Sequence, residues 1–372
     1  MRLAAVVLTA GKSSRLPRFK PLLRLCGQTL VKRAAELFRQ AGVEVLIAVT
    51  GTRAEEVGAE ASACGMIPVF NPRHEEGMLT SAQAGLAALP PDIDGAFVLP
   101  VDIPLIRPAT VKALAARFPQ SPAQVQMLMP TFRGQPGHPP LIRAQAIAAI
   151  LQWNGDGGLA GALSQFPQES VPVADAQILF DVDDATAFAE AERRAGRLDI
   201  PTIEEAMALL DVHNAGERGI AHGRGVADAA LALARALMDK GAVLNLELIE
   251  TAALLHDVAK GQPHHEAAGA RILAEAGYPR LAEVVGAHRD IDPAGLTNLS
   301  ERELVYLADK LVRGPVRVPV RQRFQEKLDR FANDAEACQA IRRRLDHALR
   351  MEALLQKCAG KSVREILRDA PH

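Results

Sequence analysis

A small, polar and basic loop follows the first apolar run of the sequence, Leu3 to Leu8. The run is typical of a buried parallel strand, and Ala10-Gly11 allows a tight backbone turn directly after it. The loop offers backbone N–H groups and the cations Lys12 and Arg15, and Lys20 adds a third positive charge. These groups can surround a polyphosphate, so we predict a nucleoside triphosphate as ligand. The glycine spacing fits neither a Walker A loop nor the dinucleotide-binding fingerprint.

Two acidic segments of the first half can hold a divalent cation against such phosphates. Asp102 follows the apolar run Ala96 to Pro100, at the predicted end of a central strand. Asp181 and Asp183 follow a predicted short strand, Gln177 to Phe180, and alternation along an extended segment places both on one face. We therefore predict Asp102 as the first ligand of Mg²⁺ and at least one of the two later aspartates as a second.

The second half concentrates imidazole and carboxylate side chains near the ends of predicted helices. His256-Asp257 ends the apolar run Leu246 to Leu255, and a buried His-Asp pair is costly unless a divalent cation binds it. A single histidine is more often structural, but six ligand-type residues in this order favour a metal site. These residues are His222, which is predicted to precede a helix, His256, Asp257, His265, His288 and Asp309.

The composition narrows the class of ligand. Lys+Arg 43 and Asp+Glu 44 leave a net charge of −1, so we expect small ligands rather than nucleic acid or an anionic membrane. The four cysteines are scattered without a CxxC pair and no secretory leader precedes them, which predicts a reduced, cytoplasmic protein. No apolar run approaches the roughly 20 residues that cross a bilayer.

The pattern of the chain predicts two domains of different class. The first half alternates strands and helices, which predicts a Rossmann-like, mostly parallel α/β sheet. After a charged segment that ends near Pro201, the periodicity is helical only, which predicts an all-α domain. The predicted boundaries are 1–196 for the first domain, 202–330 for the second and 331–372 for a C-terminal helical extension.

The opening loop resembles the signature of the MobA-like NTP transferases, LAAGxSxRMGxxK. Later segments resemble further family motifs in the same order, namely NxxxxxGMxxS from Asn71, DMPLI from Asp102, GxxGHP from Gly134 and DIDTPED from Asp181. The position within the last motif favours Asp183 over Asp181 as the metal ligand. The sequence departs from the opening signature at Thr9, Leu16 and Pro17 and from the last motif at Asp184 and Ala185.

The resemblance implies transfer of a nucleoside monophosphate onto a phosphate acceptor with release of pyrophosphate. It implies Arg15 and Lys20 as catalytic cations, Gly137 and His138 near the acceptor, and Mg²⁺ on Asp102 and Asp183. The implied nucleotide-binding residues are Leu8, Thr9, Ala10, Gly11, Lys12, Ser13, Asn71, Gly77 and Ser81. Ala10 is similar to the cytidylyl branch (LAAG) rather than the guanylyl branch (LAGG), which implies CTP, molybdopterin cofactor, and a molybdoenzyme or its chaperone as protein partner.

The ligand residues of the second half resemble the HD-domain metal-dependent phosphohydrolases, with Leu255 to Lys260 similar to their HDIGK motif. The resemblance implies one metal on His222, His256, Asp257 and Asp309, and a second recruited by His265 and His288. Mn²⁺, Fe²⁺ or Co²⁺ are the implied ions, and Lys260 would lie near the phosphate. The run HHExxDGxGYP of cyclic-dinucleotide phosphodiesterases is broken here, which leaves the hydrolase substrate open.

Two other functions are kept as alternatives. The transferase could act on a sugar phosphate or an isoprenoid precursor. Alternatively, the chain could be a regulatory protein in which the HD half senses or removes nucleotides and the transferase half only binds them. The arginines from Arg313 to Arg323 are interpreted as a solvated helix face, because no aromatic residues are interleaved with them.

Overall fold

A computed structural model describes residues 1–11, 19–288 and 290–369 of the chain. The chain divides into two compact units, Met1–Leu198 and Asp199–His372. Among the described residues, no helix has both the length and the apolar character needed to span a membrane.

The first unit is built on an eight-stranded, mostly parallel sheet with the strand order β10-β7-β9-β6-β1-β4-β5, and β8 pairs with β7. Neighbouring strands are parallel in the pairs β1–β4, β1–β6, β4–β5 and β7–β10, whereas β9 is antiparallel to both of its neighbours. A separate small hairpin joins β2 and β3. The strands are β1 (Leu3–Leu8), β2 (Arg24–Leu25), β3 (Gln28–Thr29), β4 (Val45–Thr50), β5 (Ile67–Phe70), β6 (Gly95–Pro100), β7 (Met127–Phe132), β8 (Gln135–Pro136), β9 (Leu141–Arg143) and β10 (Gln168–Pro172).

Among the described residues of this unit, seven α-helices accompany the sheet, which confirms the predicted α/β class. The helices are α1 (Leu30–Gln40), α2 (Ala54–Ala63), α3 (Met78–Ala87), α4 (Pro108–Arg117), α5 (Ala144–Gln152), α6 (Gly158–Leu163) and α7 (Ala185–Ala195). All residues of β1 are buried, because it is a central strand. Helix α3 packs closely on it at Gly85, where a Cβ atom would lie 2.3 Å from Val6 Cγ1.

One predicted strand of the first unit is wrong. Residues Ala176–Leu179 form a 3-10 helix instead of the strand Gln177 to Phe180. The carboxylate of Asp175 caps this turn by accepting the N–H of Gln177, and it also pairs with the buried guanidinium of Arg107 at 2.8 Å. A capping side chain fixed from another element stabilises a turn where the apolar residues alone favour a strand.

The second unit is helical, as predicted, apart from one short hairpin of β11 (Val312–Arg313) and β12 (Val316–Arg317). Helices α8 and α13 begin at capping boxes, Thr202 with Glu205 and Ser300 with Glu303. The helices are α8 (Ile203–Val212), α9 (Gly216–Met238), α10 (Leu246–Leu255), α11 (His265–Glu275), α12 (Pro279–Gly286), α13 (Glu301–Lys310), α14 (Val320–Arg330), α15 (Ala335–Ala359) and α16 (Val363–Asp369). The prediction that His222 precedes a helix is wrong, because α9 begins at Gly216 and His222 lies within it.

Candidate functional site

The carboxyl ends of β1 and β6 bring the residues that precede the opening loop, Leu8 to Ala10, close to the segment of Val101 and Asp102. The N–H of Val101 donates to Leu8 O at 3.2 Å, which joins the two chain segments directly after their strands. Thr9 is buried and donates its N–H and Oγ1 to Val49 O on β4, at 3.0 and 2.6 Å. The backbone of Leu8, Thr9 and Ala10 is thus fixed at the edge of the sheet where ligands bind in such folds.

Three charged side chains that are distant in sequence meet at this edge. Lys20 Nζ lies 3.2 Å from Asp102 Oδ2 and 2.9 Å from Asp183 Oδ1. The N–H of Val182 donates to Asp102 O at 2.8 Å, which holds the segment of Asp183 beside Asp102. The Lys20 side chain is 13% exposed, whereas the Asp183 side chain is 46% exposed, so the cluster opens to solvent on its aspartate side.

The charge of this cluster suits a divalent cation. Burial lowers the pKa of Lys20, but the hydrogen bonds and charges of Asp183 and Asp102 outweigh burial and raise it. The ammonium group is therefore charged and compensates the two carboxylates. Carboxylate oxygens are the ligands that Mg²⁺ prefers, and one or two of them with substrate phosphates form the usual Mg²⁺ site. The residues present fit the ion, and Asp102 and Asp183 are the carboxylates that would hold it.

Asn71 organises the turn that leads into α3. Its Nδ2 donates to Thr80 Oγ1 and Ser81 Oγ, both at 3.0 Å, and its Oδ1 accepts the N–H of Arg73 at 2.9 Å. Asn71 and Ser81 are 2% and 5% exposed. These side chains position the start of α3, and their predicted contact with a nucleotide stays a prediction. Gly77 has φ +116°, a backbone conformation that favours glycine. The same residue lines a cavity of about 600 Å³.

The segment of Gly137 and His138 packs directly against the turn after β10. The N–H of His138 donates to Ile178 O at 3.0 Å. Burial lowers the pKa of His138, and the charges of Asp102 and Asp181 oppose that effect without overcoming it. His138 is therefore a neutral imidazole within the electrostatic range of Asp102.

We predict that Gly137→Ala destabilises the first unit. A Cβ atom at this position would lie 2.6 Å from Ile178 O, a backbone atom that cannot move without its turn. Overpacking of this kind costs about 1–3 kcal/mol. Urea unfolding measures the loss, and Gly196→Ala is the matched control, because a Cβ there meets only ordinary contacts at 3.7 Å or more. Equal stability of the two variants would contradict the close approach at Gly137.

The remaining predicted residues of this site divide into two groups. Gly11 is described and exposed, and a Cβ there would meet nothing within 4 Å. Lys12, Ser13 and Arg15 lie outside the described residues. Their predicted contacts with phosphate stay predictions.

The second unit brings the six predicted metal-ligand residues together. Asp257 is at the centre, with one carboxylate oxygen 3.5 Å from His256 Nε2 and 3.9 Å from His222 Nε2. Its other oxygen lies 3.5 Å from His265 Nε2 and 3.8 Å from His288 Nε2. Asp257 thus belongs to two possible metal-ligand groups, one with His222 and His256 and the other with His265 and His288. Within each group, the ligand atoms lie within 4.8 Å of one another.

Backbone carbonyls fix the tautomers of three of these imidazoles. The Nδ1 atoms of His222, His256 and His288 lie 3.0, 2.7 and 2.6 Å from the carbonyl oxygens of Gly314, Ala253 and Val285. A carbonyl only accepts, so each Nδ1 carries a proton, and Nε2 is the ring atom that can bind a metal ion once it carries no proton. Gly223 allows this packing, because a Cβ there would lie 2.5 Å from Leu254 O at the end of α10.

An unpartnered nitrogen indicates that this cluster is built for a cation. His256 Nε2 is buried without a hydrogen-bond partner, since both nearby carboxylates lie at 3.5 Å or more. Burial lowers the pKa of His256, but the carboxylates of Asp257 and Asp309 outweigh burial and raise the pKa to about 9. Burial and the charge of His256 lower the pKa of His288 to about 4. A proton on His256 therefore compensates the carboxylates, and a metal ion on Nε2 would replace it.

Asp309 differs from the other ligand residues in its partners. Its Oδ1 lies 3.3 Å from His222 Nε2, but Lys310 Nζ contacts its Oδ2 at 2.8 Å and Arg323 contacts its Oδ1 at 3.0 Å. Lys310 is 5% exposed and also donates to His288 O at 3.0 Å. These cations hold Asp309 in place beside the imidazoles. Lys260 pairs with Asp257, so the predicted phosphate-binding lysine is at the metal-ligand group.

A cavity of about 550 Å³ adjoins the metal-ligand group and is lined by His222 and Asp257. The sequence interpretation as a solvated face is wrong for Arg323, whose side chain is only 14% exposed, whereas the Arg313 side chain is 55% exposed although it also lines this cavity. The basic residues of the wall are Arg218, Lys260, Arg313, Arg323, Lys327 and Arg330.

Comparison with known proteins assigns a family to each unit. Residues 5–171 match the family model described as the MobA-like NTP transferase domain, and residues 219–314 match the HD domain. The chain therefore contains a MobA-like NTP transferase domain followed by an HD domain, which confirms both resemblances.

Relatives among characterised proteins match the first unit. The molybdenum cofactor cytidylyltransferase of Escherichia coli (strain K12) is 25% identical over 190 residues, which cover 51% of this chain and 95% of that protein. The bifunctional protein GlmU of Synechococcus sp. (strain CC9311) is 34% identical over 128 residues, 34% of this chain, and the match spans only 28% of GlmU. A solved nucleotidyl transferase from Methanothermobacter thermautotroptrophicus is 21% identical at a TM-score of 0.46, over 53% of this chain and 99% of that one.

Proposed function

We propose that the first unit transfers CMP from CTP onto a phosphate-bearing acceptor, molybdopterin cofactor, and releases pyrophosphate. The observation that carries the proposal is the meeting of Lys20, Asp102 and Asp183 at the carboxyl edge of the parallel sheet. A phosphate of the acceptor attacks the α-phosphorus in line, and positioning with electrostatic stabilisation supplies most of the catalysis.

The residues of the cluster have distinct roles in this proposal. Asp102 and Asp183 hold Mg²⁺, which when bound neutralises phosphate oxygens. Lys20 is held charged at the site and donates to the phosphate oxygens that gain charge as pyrophosphate leaves. Neutral His138 is placed to accept a hydrogen bond from the acceptor or to donate one to it. Arg15 is proposed as a further cation of the same site.

The choice of nucleotide and acceptor rests on the sequence. Ala10 matches the cytidylyl form of the loop, and the Escherichia coli relative, whose length is almost fully covered, is named a molybdenum cofactor cytidylyltransferase. A molybdoenzyme or its chaperone is the proposed protein partner. A sugar-phosphate or isoprenoid acceptor is the alternative, because proteins with a different name, the GlmU relatives, also match this unit, over about a quarter of their own length.

Pyrophosphate release by the full chain tests this proposal. With Mg²⁺ and molybdopterin cofactor, we expect release with CTP and not with GTP, ATP or UTP. Asp102→Asn should lower the rate by about 10²–10³, as expected for loss of one group that stabilises transition-state charge. Asp92→Asn is the matched control, because Asp92 is an exposed aspartate that pairs only with Arg2 among the described residues. Silence with all four nucleotides would contradict the acceptor, and sugar phosphates would be tested next.

We further propose that the second unit is a phosphohydrolase that uses one or two divalent ions such as Mn²⁺, Fe²⁺ or Co²⁺. The imidazoles and carboxylates that share Asp257, next to a basic cavity, favour this activity. Such ions, when bound, activate water for attack on a phosphoester. In this proposal Lys260 contacts the phosphate. The proposed domain boundaries are 1–196 for the transferase, 202–330 for the phosphohydrolase and 331–372 for a C-terminal extension. Metal-dependent binding of nucleotides without turnover in either unit would favour the sensor alternative.

A further inference from the structure

We propose that the cavity beside the metal-ligand group binds a second phosphate of the HD-domain substrate, so that the substrate carries two linked phosphates. This inference rests on the proposed phosphoester hydrolysis and names the substrate class of that site. A nucleoside diphosphate and a dinucleotide joined through pyrophosphate share this chemistry.

The cavity is large enough and is continuous with the reacting site. Its volume of about 550 Å³ is in the usual range of small-molecule sites, and its wall includes His222, Asp257 and Lys260. A substrate phosphate at the metal ligands therefore has the rest of its molecule in this cavity. The residues that line the remaining wall decide what that part of the molecule can be.

The cations of the wall outnumber the anions that could compensate them. Lys260 pairs with Asp257, Arg313 pairs with Glu326, and Arg323 pairs with Asp309. Within the described part of the chain, no ion pair is formed by Arg218, Lys327 or Arg330. Three positive charges thus face one cavity without protein partners, and a polyanionic ligand is the chemistry that compensates them.

Lys327 is the most informative of these cations. It is half-buried, and its ammonium group lies 5.5 Å from the ring of Phe324. Burial and, after it, the charges of Lys310 and Arg323 lower its pKa to about 8. Lys327 also lines the cavity with several other cations, so an anion bound in the cavity would stabilise its charge.

The spacing of the cations requires more than one phosphate. Arg323, Lys327 and Arg330 lie at positions i, i+4 and i+7 of α14, on one face of the helix. At 1.5 Å per residue, the first and last of them are about 10 Å apart along the helix axis. A single phosphate at the metal ligands can meet Arg323, which contacts Asp309, but it cannot also meet Arg330 at the far end of this face. A second, linked phosphate extends the anionic group toward it.

Calorimetric titration of the full chain loaded with Mn²⁺ tests the inference, with inorganic phosphate and inorganic pyrophosphate as probes. We expect the HD domain to bind pyrophosphate at least tenfold more tightly than phosphate. Lys327→Gln and Arg330→Gln should each weaken pyrophosphate binding by about tenfold, equal to 1.4 kcal/mol, and phosphate binding by less than threefold. Any pyrophosphate bound by the transferase domain is common to all variants and cancels in the comparison.

The control is Arg321→Gln, which removes an exposed cation of the same helix that does not line the cavity. Equal losses for both probes, or an equal loss in Arg321→Gln, would overturn the inference. Failure of the two proposals is distinguishable by turnover. One outcome would overturn only this inference: the chain hydrolyses phosphomonoesters at a rate that Lys327→Gln does not change, and it binds pyrophosphate no more tightly than phosphate. Pyrophosphate binding that depends on Lys327, in a chain that hydrolyses no phosphoester, would overturn the hydrolase and keep the binding site.

Discussion

Replacing Asp257 by asparagine is expected to abolish metal binding at both ligand groups of the HD domain. Asp257 is shared by the group with His222 and His256 and by the group with His265 and His288, so one substitution removes an anionic ligand from each. Loss of a residue that merely orients a ligand costs 10–100-fold in metal affinity, and loss of a shared ligand should cost more than 100-fold. Phosphoester hydrolysis should fall with it.

Metal content and thermal unfolding measure this prediction. The native chain should gain about 2.7 kcal/mol of stability when free Mn²⁺ is 100 times its dissociation constant, and Asp257→Asn should gain none. Asp228→Asn is the matched control, because Asp228 is an exposed aspartate on α9, the helix that carries His222. Retention of Mn²⁺ by Asp257→Asn would show that the two groups do not depend on this carboxylate.

Replacing Lys20 by methionine is expected to lower the rate of pyrophosphate release by about 10²–10³ without unfolding the transferase domain. Lys20 contributes the cation that lies between Asp102 and Asp183, and methionine fills similar space without charge. Because the pKa of Lys20 is raised above 10.5, its ion pairs are intact at neutral pH and are lost only as the pH rises through that higher value. The activity of the native chain should therefore not fall between pH 7 and pH 9 through loss of this proton.

Steady-state rates with CTP at several Mg²⁺ concentrations test the role of Lys20. Lys32→Met is the matched control, because Lys32 is exposed on α1 and forms only a surface pair with Glu36 at 3.8 Å among the described residues. A large fall in kcat for Lys20→Met, together with an unchanged kcat for Lys32→Met, would support a role of Lys20 in stabilising the transition state. Equal rates in the two variants would remove Lys20 from the catalytic machinery.

The sequence predicts the elements of this chain best where one strong signal decides the structure. The continuous apolar runs predict β1 and β6 to within one residue, and the run LELIETAALL predicts α10 at its observed bounds. The prediction near Gln177 is wrong because a long-range partner, Arg107, fixes the capping carboxylate of Asp175. The start of α9 is missed because its first turns contain Gly216, Gly219 and Gly223, which weaken the helical signal.

The motif residues of both sites are predictable because their types and order carry the chemistry. Their supporting residues are not. Lys310 on α13 and Arg323 on α14 both contact Asp309, but in sequence they look like ordinary charged positions of amphipathic helices. The face of Arg323, Lys327 and Arg330 has the spacing of a solvated helix surface. Only the tertiary structure places that surface along a cavity.

The hydrogen bonds from the histidine Nδ1 atoms to backbone carbonyls orient the metal-ligand side chains of the HD domain before an ion binds. Three rings, those of His222, His256 and His288, are already oriented, and the ring of His256 makes T-shaped contacts with the other two at centroid distances of 5.1 and 5.2 Å. The rotamer entropy of these side chains is therefore lost when the domain folds and not when the ion arrives. Ion capture should proceed with little rearrangement of the protein, and the strength of binding should follow the charge and size of the ion.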